Sequence, residues 1–464
     1  MLPDRVQRLF EPGSHAMALA RLFDDAGHAL FLVGGSVRDA ILDRPHDDLD
    51  FATDARPEAI KKIVAPWAQN VFTAGELFGT VSTVKEGHVF EITTYRSEVY
   101  REESRQPVVE FSDNIESDLS RRDFAVNAMA LRLQPGKPEP ELVDPWGGLS
   151  DLAAMVLRTP QSPEVSFGDD PLRMLRLYRF VATLGFSIDP SAAEAAREMA
   201  PRLEIVSAER IRDEFSKLME APEPSAALLG LVEAGLAAHF IPEIPALALE
   251  EDPHHRHKDV LAHTLAVVDK TPPRLEIRLA ALYHDVGKPE TREFGEGGLV
   301  SFHHHEVVGA RLARRRLRAL QYPKKVIKDV SKLVYLHMRP HTFKDGWTDR
   351  AVRRYVRDAG EQLEDLNLLV RCDVTTRNEK LQRTIQRRID ELEERIAVLR
   401  EQEELDRLRA PIDGNEVMEY LGIPPGPKVG EAMNLLLEYR IEEGPYSREE
   451  AFELLDGWVA AGVL

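Results

Sequence analysis

The sequence predicts an α+β fold in which a β-rich first region precedes several helical ones. Residues 1 to about 150 alternate short apolar runs such as "ALFLVGG", "TVSTVK" and "HVFEITTYR" with Gly, Asp and Pro, which is typical of strands and turns. Later segments such as "DDPLRMLRLYRFVATLGF" carry apolar residues at i, i+3 and i+4, the spacing of an amphipathic helix. A chain of 464 residues is also too long for one ordinary domain. We therefore predict four regions, at 1–150, 151–250, 251–380 and 381–464.

The composition is that of a globular protein, with 43% hydrophobic and 30% charged residues. The start "MLPDRVQRLFEPG" has no apolar signal core, and no run approaches the roughly 20 residues that span a membrane. A single cysteine, Cys372, excludes an internal disulfide framework and favours a cytoplasmic location. The net charge of −19 argues against a protein that coats nucleic acid over its whole surface, but it leaves room for local basic faces.

The stretch "FLVGGSVRDAILDRPHDDLDFAT" contains the strongest candidate site. Asp48 and Asp50 lie two residues apart on a predicted strand, so their side chains project from the same face. Two adjacent carboxylates repel each other, and Mg²⁺ would relieve the repulsion because it prefers carboxylate oxygens together with substrate phosphates. An acidic strand end followed by an ordinary turn is the alternative interpretation of a bare Asp-x-Asp.

The glycine pair in the same stretch suits a phosphate chain. Gly34 and Gly35 form a predicted turn, followed by a helix beginning near Ser36, and this arrangement offers backbone N–H groups to an anion. Arg38 adds a planar donor for phosphate oxygens. The residues therefore favour a site for a nucleoside triphosphate beside a divalent cation.

The window "GGSVRDAILDRPHDDLDFAT" closely resembles the signature of the class II tRNA nucleotidyltransferase and bacterial poly(A) polymerase family, which extends RNA 3′ ends without a nucleic-acid template. The family's further motifs follow in order as "FEITTYR", "SRRDFAVNAMA", "DPWGGLSDL", "DDPLRMLRLYRF" and "SAERIRDEFSKL". The resemblance covers residues 31 to about 220. It implies a mixed-sheet nucleotidyltransferase head followed by an all-α neck.

The resemblance also assigns roles to residues. Asp48, Asp50 and Glu91 match the three carboxylates of a two-metal site, with Mg²⁺ as the metal. Asp170 and Arg173 match the pair that selects the nucleobase, although Asp169 stands where the family usually has Glu. The full set of implied nucleotide-binding residues is Gly34, Gly35, Arg38, Arg122, Asp123, Asp170, Arg173, Arg176 and Arg179. For the arginines of the 173–179 segment, a solvated basic helix face is the alternative interpretation.

The implied substrates are tRNA, CTP and ATP, and the implied product is a CCA end. The polar segment 95–118 is predicted by its composition to be a flexible loop, and full CCA-adding enzymes resemble this chain in having a loop there. Poly(A) synthesis, or addition of only CC or only A, stays open because these activities share the motifs. We expect no membrane partner and no DNA partner.

A second group of residues resembles the ligand pattern of the HD metal-dependent phosphohydrolase superfamily, within the predicted region 251–380. The matching residues are His263, His284, Asp285, His305, His337 and Asp373. Imidazole and carboxylate ligands together suit Mn²⁺, Ni²⁺ or Co²⁺, and Mg²⁺ is a further candidate. The resemblance implies a possible phosphatase or cyclic phosphodiesterase activity. An HD phosphohydrolase whose head only binds RNA is the rival interpretation from another class.

Several segments are candidates for contact with the tRNA backbone. Residues 311–328 and 349–358 form local basic helices in an acidic chain, and solvated helix faces are an equal alternative. The turn "GIPPGPKVG" precedes a predicted helix and is a weaker candidate for phosphate contact. The charged helix predicted at 381–409 is expected to be either an internal brace or a dimer contact.

Overall fold

The structure, a computed structural model, describes residues 3–45, 49–99, 108–137, 140–248, 259–295, 300–342, 347–375, 378–403 and 409–464. The chain divides into two compact units, Met1–Phe240 and Ile241–Leu464. The finer division into four regions stays a prediction. Within the described residues, no helix is long and apolar enough to span a membrane.

The strands lie mostly in the first unit. They are β1 (Leu30–Val33), β2 (Leu49–Thr53), β3 (Asn70–Phe72), β4 (Thr80–Lys85), β5 (His88–Thr94), β6 (Arg96–Val99), β7 (Val108–Phe111), β8 (Ala130–Arg132), β9 (Glu141–Val143), β10 (Val156–Leu157) and β11 (Ser187–Ile188). The second unit contains β12 (Arg292–Phe294) and β13 (Val300–Phe302).

Helices make up most of the chain. The first unit contains α1 (Asp4–Leu9), α2 (His15–Asp25), α3 (Gly35–Ile41), α4 (Pro57–Val64), α5 (Ile115–Ser120), α6 (Gly148–Ala154), α7 (Pro163–Asp169), α8 (Leu172–Leu184), α9 (Pro190–Glu198), α10 (Ala208–Met219), α11 (Ser225–Glu233) and α12 (Ala237–Phe240). The second contains α13 (Val260–Lys270), α14 (Leu275–Tyr283), α15 (His305–Ala319), α16 (Lys324–Leu336), α17 (Asp349–Ala359), α18 (Leu363–Asp373), α19 (Glu379–Glu403), α20 (Gly414–Leu421), α21 (Pro427–Glu443) and α22 (Arg448–Ala460).

A seven-stranded sheet in the order β3-β4-β5-β2-β1-β8-β9 forms the centre of the first unit. Strands β2 and β5 are parallel, and the other pairs are antiparallel. The predicted α+β class with a mixed sheet is therefore confirmed. All four residues of β1 are buried, because apolar "LFLV" occupies the centre of the sheet and has neighbours on both faces.

The two faces of the sheet have different environments. Phe51, Phe90 and Ile92 project from one face into a core and are at most 1% exposed. On the other face, Ala52 packs in a cluster with Leu119 of α5 and Tyr95, and this cluster covers one end of that face. Asp50 lies on the same face as Ala52, because alternate residues of a strand share a face.

The segment 95–118 differs from its prediction. Composition alone indicated a flexible loop, but its described parts form the antiparallel pair β6–β7 and the start of α5. Asn114 caps α5 by accepting a hydrogen bond from the backbone N–H of Glu116. Leu119, the residue after this segment, is buried in the cluster that packs on the sheet, so long-range packing helps to hold α5 in place.

Helices α8, α10 and α11 pack together and follow the head within the first unit. The apolar face of α8 is buried, including Met174, Leu175 and Leu177, as its periodicity predicts. Ser207 caps α10 through its side chain, so the motif "SAERIRDEFSKL" forms a capped helix. The short parallel pair β10–β11 in this otherwise helical region was not predicted.

In the second unit, α19 contributes Ile389, Leu392, Ile396 and Leu399 to a buried face and packs on α17 and α18. This packing supports the brace interpretation of the charged helix. The arginines of α17 form ion pairs with acidic residues of α21, including Arg357 with Glu438 at 2.6 Å. The basic helix 349–358 therefore has protein partners, which neither the RNA-contact prediction nor its alternative of a solvated helix face included.

Candidate active site and metal centre

Two of the three predicted catalytic carboxylates lie side by side in the sheet. Asp50 of β2 and Glu91 of β5 are register partners on parallel neighbouring strands, so their side chains project from the same face. The backbone N–H of Asp50 donates to Ser36 Oγ of α3 at 3.0 Å, which ties the strand to the helix after the glycine turn. Asp48 lies outside the described residues, so its position relative to this pair is still a prediction.

The glycine turn lets another group approach the backbone closely at Gly34. Gly34 has φ +69°, in the left-handed region that favours glycine, and a Cβ atom there would lie 2.6 Å from Arg122 Nη1. Helix α3 begins at Gly35, one residue before the predicted start. Arg122 also donates to Asp118 Oδ2 at 3.1 Å, so its guanidinium is held over the turn. Gly34 and Arg122 are thus brought together, and their contact with nucleotide stays a prediction.

Arg38 has protein partners in the structure. Its Nε and Nη2 atoms donate to the two carboxylate oxygens of Asp39, each at 2.8 Å, and Nη1 donates to Asn127 Oδ1 at 2.6 Å. The side chain is only 9% exposed. This bidentate pair indicates a bracing role for Arg38, and its contact with phosphate stays a prediction.

Asp123, Arg176 and Arg179 belong to one ion network, in which the carboxylates are buried and the arginines are partly exposed. Arg176 donates through Nε and Nη2 to Asp123 Oδ2, at 2.9 and 2.6 Å. Glu214 of α10 accepts from Arg176 Nη1 at 3.1 Å and forms an ion pair with Arg179 at 2.6 Å. Burial lowers the pKa of Arg179, whereas for Arg176 the adjacent carboxylates outweigh burial and raise the pKa. The network joins α8 to the head motif at Asp123, so these predicted nucleotide contacts also hold the neck in place.

Asp123 should give the protein an acid-sensitive stability. Burial alone would raise the pKa of its carboxyl, but Arg176 and the hydrogen bond from Asn127 outweigh burial and hold that pKa well below the usual range. The Asp123 carboxylate therefore stabilises the folded protein fully above a pH of about 4, the usual pKa of this carboxyl in an unfolded chain. This stabilisation is lost as the pH falls toward the lower pKa that the carboxyl has in the folded protein. We expect Asp123→Asn to unfold about 3 kcal/mol more easily at pH 7, because it leaves the Arg176 charge underpaired.

The measurement is the denaturant-unfolding free energy between pH 2 and 7. The wild-type protein should lose stability over the acid part of this range, and Asp123→Asn should lose less. Glu198→Gln, at an exposed carboxylate of α9, serves as the matched control. An equal acid dependence in Asp123→Asn and wild type would contradict the assignment.

Asp170 lies just before α8 and Arg173 in its first turn, and both contact other residues of the protein. Asp170 accepts from the backbone N–H of Leu172 at 3.2 Å and pairs with Arg210 of α10 at 2.7 Å. Arg173 donates through Nη1 to Ser166 Oγ at 2.9 Å and through Nη2 to the carbonyl of Arg121. The part played by Arg210 could not be predicted, since it lies 40 residues further along the chain.

The six histidine and aspartate residues of the second constellation come together in the second unit. They form two groups whose ligand atoms lie within 4.8 Å of one another, namely His263, His284 and Asp373, and Asp285, His305 and His337. Asp285 joins the groups: its Oδ2 lies 3.2 Å from His284 Nε2, and its Oδ1 lies 3.4 Å from His305 Nε2. All six predicted ligands are therefore present in one cluster.

Helix ends position these side chains. His284 follows α14, His337 follows α16 and Asp373 is the last residue of α18, so three helix C-termini converge on the cluster. The negative ends of helix dipoles favour a cation at this place. His284 and His337 each use Nδ1 toward the carbonyl three residues earlier, which directs the Nε2 lone pairs inward.

The donor set fits one or two divalent metal ions. Nε2 atoms face each other at 3.3 Å in the pairs His263–His284 and His305–His337, and two neutral acceptors at this separation repel without a cation between them. Metal–ligand bonds of about 2.1 Å place neighbouring ligand atoms about 3.0 to 3.4 Å apart, which agrees with these distances. The cluster therefore fits a metal centre.

The charge of the cluster agrees with this reading. Burial lowers the pKa of His284, but the carboxylates of Asp285 and Asp373 outweigh burial and raise it to about 10. Burial also lowers the pKa of His337, to about 3. The carboxylates therefore favour positive charge at this place, and a bound divalent cation would supply that charge with His284 neutral.

Two residues of this centre were missed from the sequence. Lys288 Nζ donates to Asp285 Oδ2 at 2.6 Å, and Thr375 Oγ1 lies 2.7 Å from His263 Nδ1. Lys288 lies one helical turn after Asp285, and that i, i+3 spacing is the signal that could have identified it. Thr375 is 112 residues from His263, so no local pattern connects them.

Comparisons with known proteins agree with both halves of the chain. Residues 30–158 match the family described as Poly A polymerase head domain. Residues 185–247 match the family described as Probable RNA and SrmB- binding site of polymerase A, and residues 256–378 match the HD domain. The head and its paired carboxylates thus define a nucleotidyltransferase.

Full-length relatives identify the family. The A-adding tRNA nucleotidyltransferase of Deinococcus radiodurans is 33% identical over 444 residues, which cover 92% of this chain and 95% of that one. The CCA-adding enzyme of Geobacillus sp. (strain WCH70) is 38% identical over 227 residues, 49% of this chain and 54% of that one. A crystal structure of Bacillus stearothermophilus CCA-adding enzyme in complex with CTP matches with a TM-score of 0.70, at 25% identity, over 97% of this chain and 98% of that one. This chain belongs to the tRNA nucleotidyltransferase family and is an enzyme.

Proposed function

We propose that this enzyme adds CMP and AMP to the 3′ end of tRNA from CTP and ATP without a nucleic-acid template. The placement of Asp50 opposite Glu91 on the open face of the sheet carries the proposal, in a chain of this family. The relatives named CCA-adding enzymes support CCA as the product. The rival in which the head only binds RNA leaves the paired carboxylates without a role.

Mg²⁺ bound to the head would supply charge neutralisation for the triphosphate and activate the RNA 3′-hydroxyl. Asp50 and Glu91, with Asp48, would hold that metal, since the carboxylates present hard oxygen ligands from adjacent strands. The Gly34–Gly35 turn and Arg122 would orient the triphosphate. The protein then accelerates the reaction mainly by positioning the two substrates and matching the developing charge.

Addition of a single A to tRNA that already ends in CC is the second candidate. The relative from Deinococcus radiodurans favours it, because that A-adding enzyme matches nearly the whole of both chains. The head motifs serve either reaction. The difference between the candidates therefore lies in which RNA ends and nucleotides the enzyme accepts.

The deciding experiment uses two tRNA substrates, one ending at the discriminator base and one ending in CC. Each is incubated with CTP, with ATP and with both, and the products are resolved at single-nucleotide length. CCA addition predicts extension of the first tRNA by three nucleotides when both are present. Addition of A alone predicts extension of only the second tRNA, and long A tracts would indicate poly(A) synthesis.

We further propose that the histidine and aspartate cluster hydrolyses a phosphate ester with a bound divalent metal. His305→Ala and Asp285→Ala should each lower metal affinity at least tenfold and remove phosphatase or cyclic phosphodiesterase activity, because they remove ligands from a buried cluster. Nucleotide addition should persist in both variants, since the head has its own site.

The measurements are Mn²⁺, Ni²⁺, Co²⁺ and Mg²⁺ binding by competition with a chelator, and hydrolysis of a 2′,3′-cyclic nucleotide and of a phosphomonoester. His304→Ala is the matched control, because His304 precedes His305 in the chain and its side chain is 83% exposed. Unchanged metal affinity in His305→Ala would contradict the ligand assignment. A wild-type protein that binds metal and cleaves neither substrate would make the cluster structural.

A further inference from the structure

An aromatic side chain shares the face of the sheet that carries the catalytic pair. Glu91 of β5 is the register partner of Ser82 of β4, and Ser82 is the register partner of Phe72 of β3. Register partners project from the same face, so Asp50, Glu91, Ser82 and Phe72 form one row across four strands. With neighbouring strands about 4.8 Å apart, Phe72 lies roughly 10 Å from Glu91 along the sheet.

The row continues into an exposed apolar surface. Phe72 is 51% exposed, and Val89, two residues before Glu91 on the same face of β5, is 36% exposed. On the opposite face of β4 and β5, Val81 and Phe90 are at most 1% exposed. An exposed apolar floor that borders a charged site is typical of a surface that a ligand covers.

The geometry of the displacement reaction indicates which ligand covers this exposed apolar surface. Gly34, the turn proposed to hold the triphosphate, follows β1, and β1 borders β2 on the side away from β5. In an in-line displacement, the attacking hydroxyl and the leaving pyrophosphate lie on opposite sides of the reacting phosphorus. An attack axis that runs along the order of the strands would bring the RNA 3′-hydroxyl in from the other side of Asp50, over Glu91, Ser82 and Phe72.

We propose that Phe72 is a stacking platform for a base at the 3′ end of the RNA that is being extended. The proposal rests on the proposed function and adds a residue that positions the RNA. A ring that stacks on a base does not select its identity, because every base has a π-face. Such a contact suits an enzyme whose substrate ends in a different base after each addition.

The test combines binding and kinetics. RNA ending in 2-aminopurine reports stacking, because the fluorescence of this base falls when it stacks, and binding is measured without nucleotide. We expect Phe72→Ala to weaken RNA binding roughly 5- to 150-fold, the range for loss of one base–aromatic stack, and to reduce the quenching. The KM for CTP and ATP should not change. Phe72→Trp should restore binding and quenching, and Phe72→Leu should not.

Val71→Ala is the matched control, because Val71 is the neighbour of Phe72 on β3, is 37% exposed and projects from the opposite face. Equal RNA affinity and quenching in Phe72→Ala and wild type would overturn the proposal, as would full rescue by Phe72→Leu. A wild-type protein that extends no RNA would overturn the proposed function, and the fluorescence measurement would still decide the role of Phe72.

Discussion

Asp50→Asn should abolish incorporation of both CTP and ATP, with a loss in kcat of roughly 10³-fold or more. Asn has the same shape but lacks the charge that would hold a divalent metal, and the metal contributes several kcal/mol to the transition state. Because Asp50 lies opposite Glu91 and on the same face, Glu91→Gln should act in the same direction. Asp48→Asn is expected to match Asp50→Asn, from the i, i+2 spacing alone.

Steady-state and single-turnover incorporation assays on tRNA measure this loss, alongside tRNA binding in the absence of nucleotide. Binding should stay within about twofold of wild type, since the carboxylates act on the metal and the triphosphate. Glu141→Gln is a suitable control, because Glu141 is an exposed carboxylate on β9 of the same sheet. Turnover close to normal in Asp50→Asn would contradict the two-metal assignment.

The parts of the fold that local pattern determines were predictable. Strands β1, β4 and β5 and helices α8 and α10 follow from apolar periodicity, turn residues and caps. The segment 95–118 was not, because its charged composition resembles a loop, whereas β6 and β7 within it pair as antiparallel strands. Helices α1 and α2 were also not predicted, because residues 1–150 were expected to alternate strands and turns, although Ser14 caps α2 through its side chain.

For the candidate sites, prediction from the sequence has a different limit. The resemblance to the HD superfamily pointed to six histidine and aspartate residues, and the structure brings all six into one cluster that could hold a metal ion. Arginines are harder to assign, since a guanidinium binds a protein carboxylate and a phosphate with the same geometry. Arg38 and Arg176 were predicted to contact nucleotide, and in the structure they pair with Asp39 and Asp123.

Asp170 and Arg173 in the predicted neck can likewise pair with protein groups or read a nucleobase, and mutating them separates these two roles. Cytosine and adenine each present an exocyclic amine donor beside a ring-nitrogen acceptor. A carboxylate accepts from the amine and a guanidinium donates to the ring nitrogen, so one protein pair suits both bases. Uracil and guanine reverse the pattern, which leaves buried polar groups unpaired and allows discrimination of roughly 10⁴-fold.

The structure adds a condition to this proposal. Asp170 pairs with Arg210, and Arg173 is held by Ser166 and the carbonyl of Arg121. Reading a base would require Asp170 to share its carboxylate or release Arg210, whose side chain is 54% exposed. An exposed pair of this kind is worth at most about 1 kcal/mol, so a bound base can displace it. The Asp170–Arg210 pair is therefore weak enough to open when a nucleotide binds.

We expect Asp170→Ala and Arg173→Ala to lose the preference for CTP and ATP over UTP and GTP, with ratios of kcat/KM falling from roughly 10⁴ toward 1. Both variants should keep Mg²⁺-dependent activity, since Asp50 and Glu91 are intact. Arg202→Ala is the matched control, because Arg202 donates to the carbonyl of Gly168 at the end of α7 and should affect stability alone. If Asp170 and Arg173 only join α8 to α7 and α10, both variants will melt at lower temperature and keep full selectivity. Measuring kcat/KM for all four nucleotides separates the two roles, because loss of a helix contact weakens all four equally, whereas loss of the base-reading pair weakens only the two that it recognises.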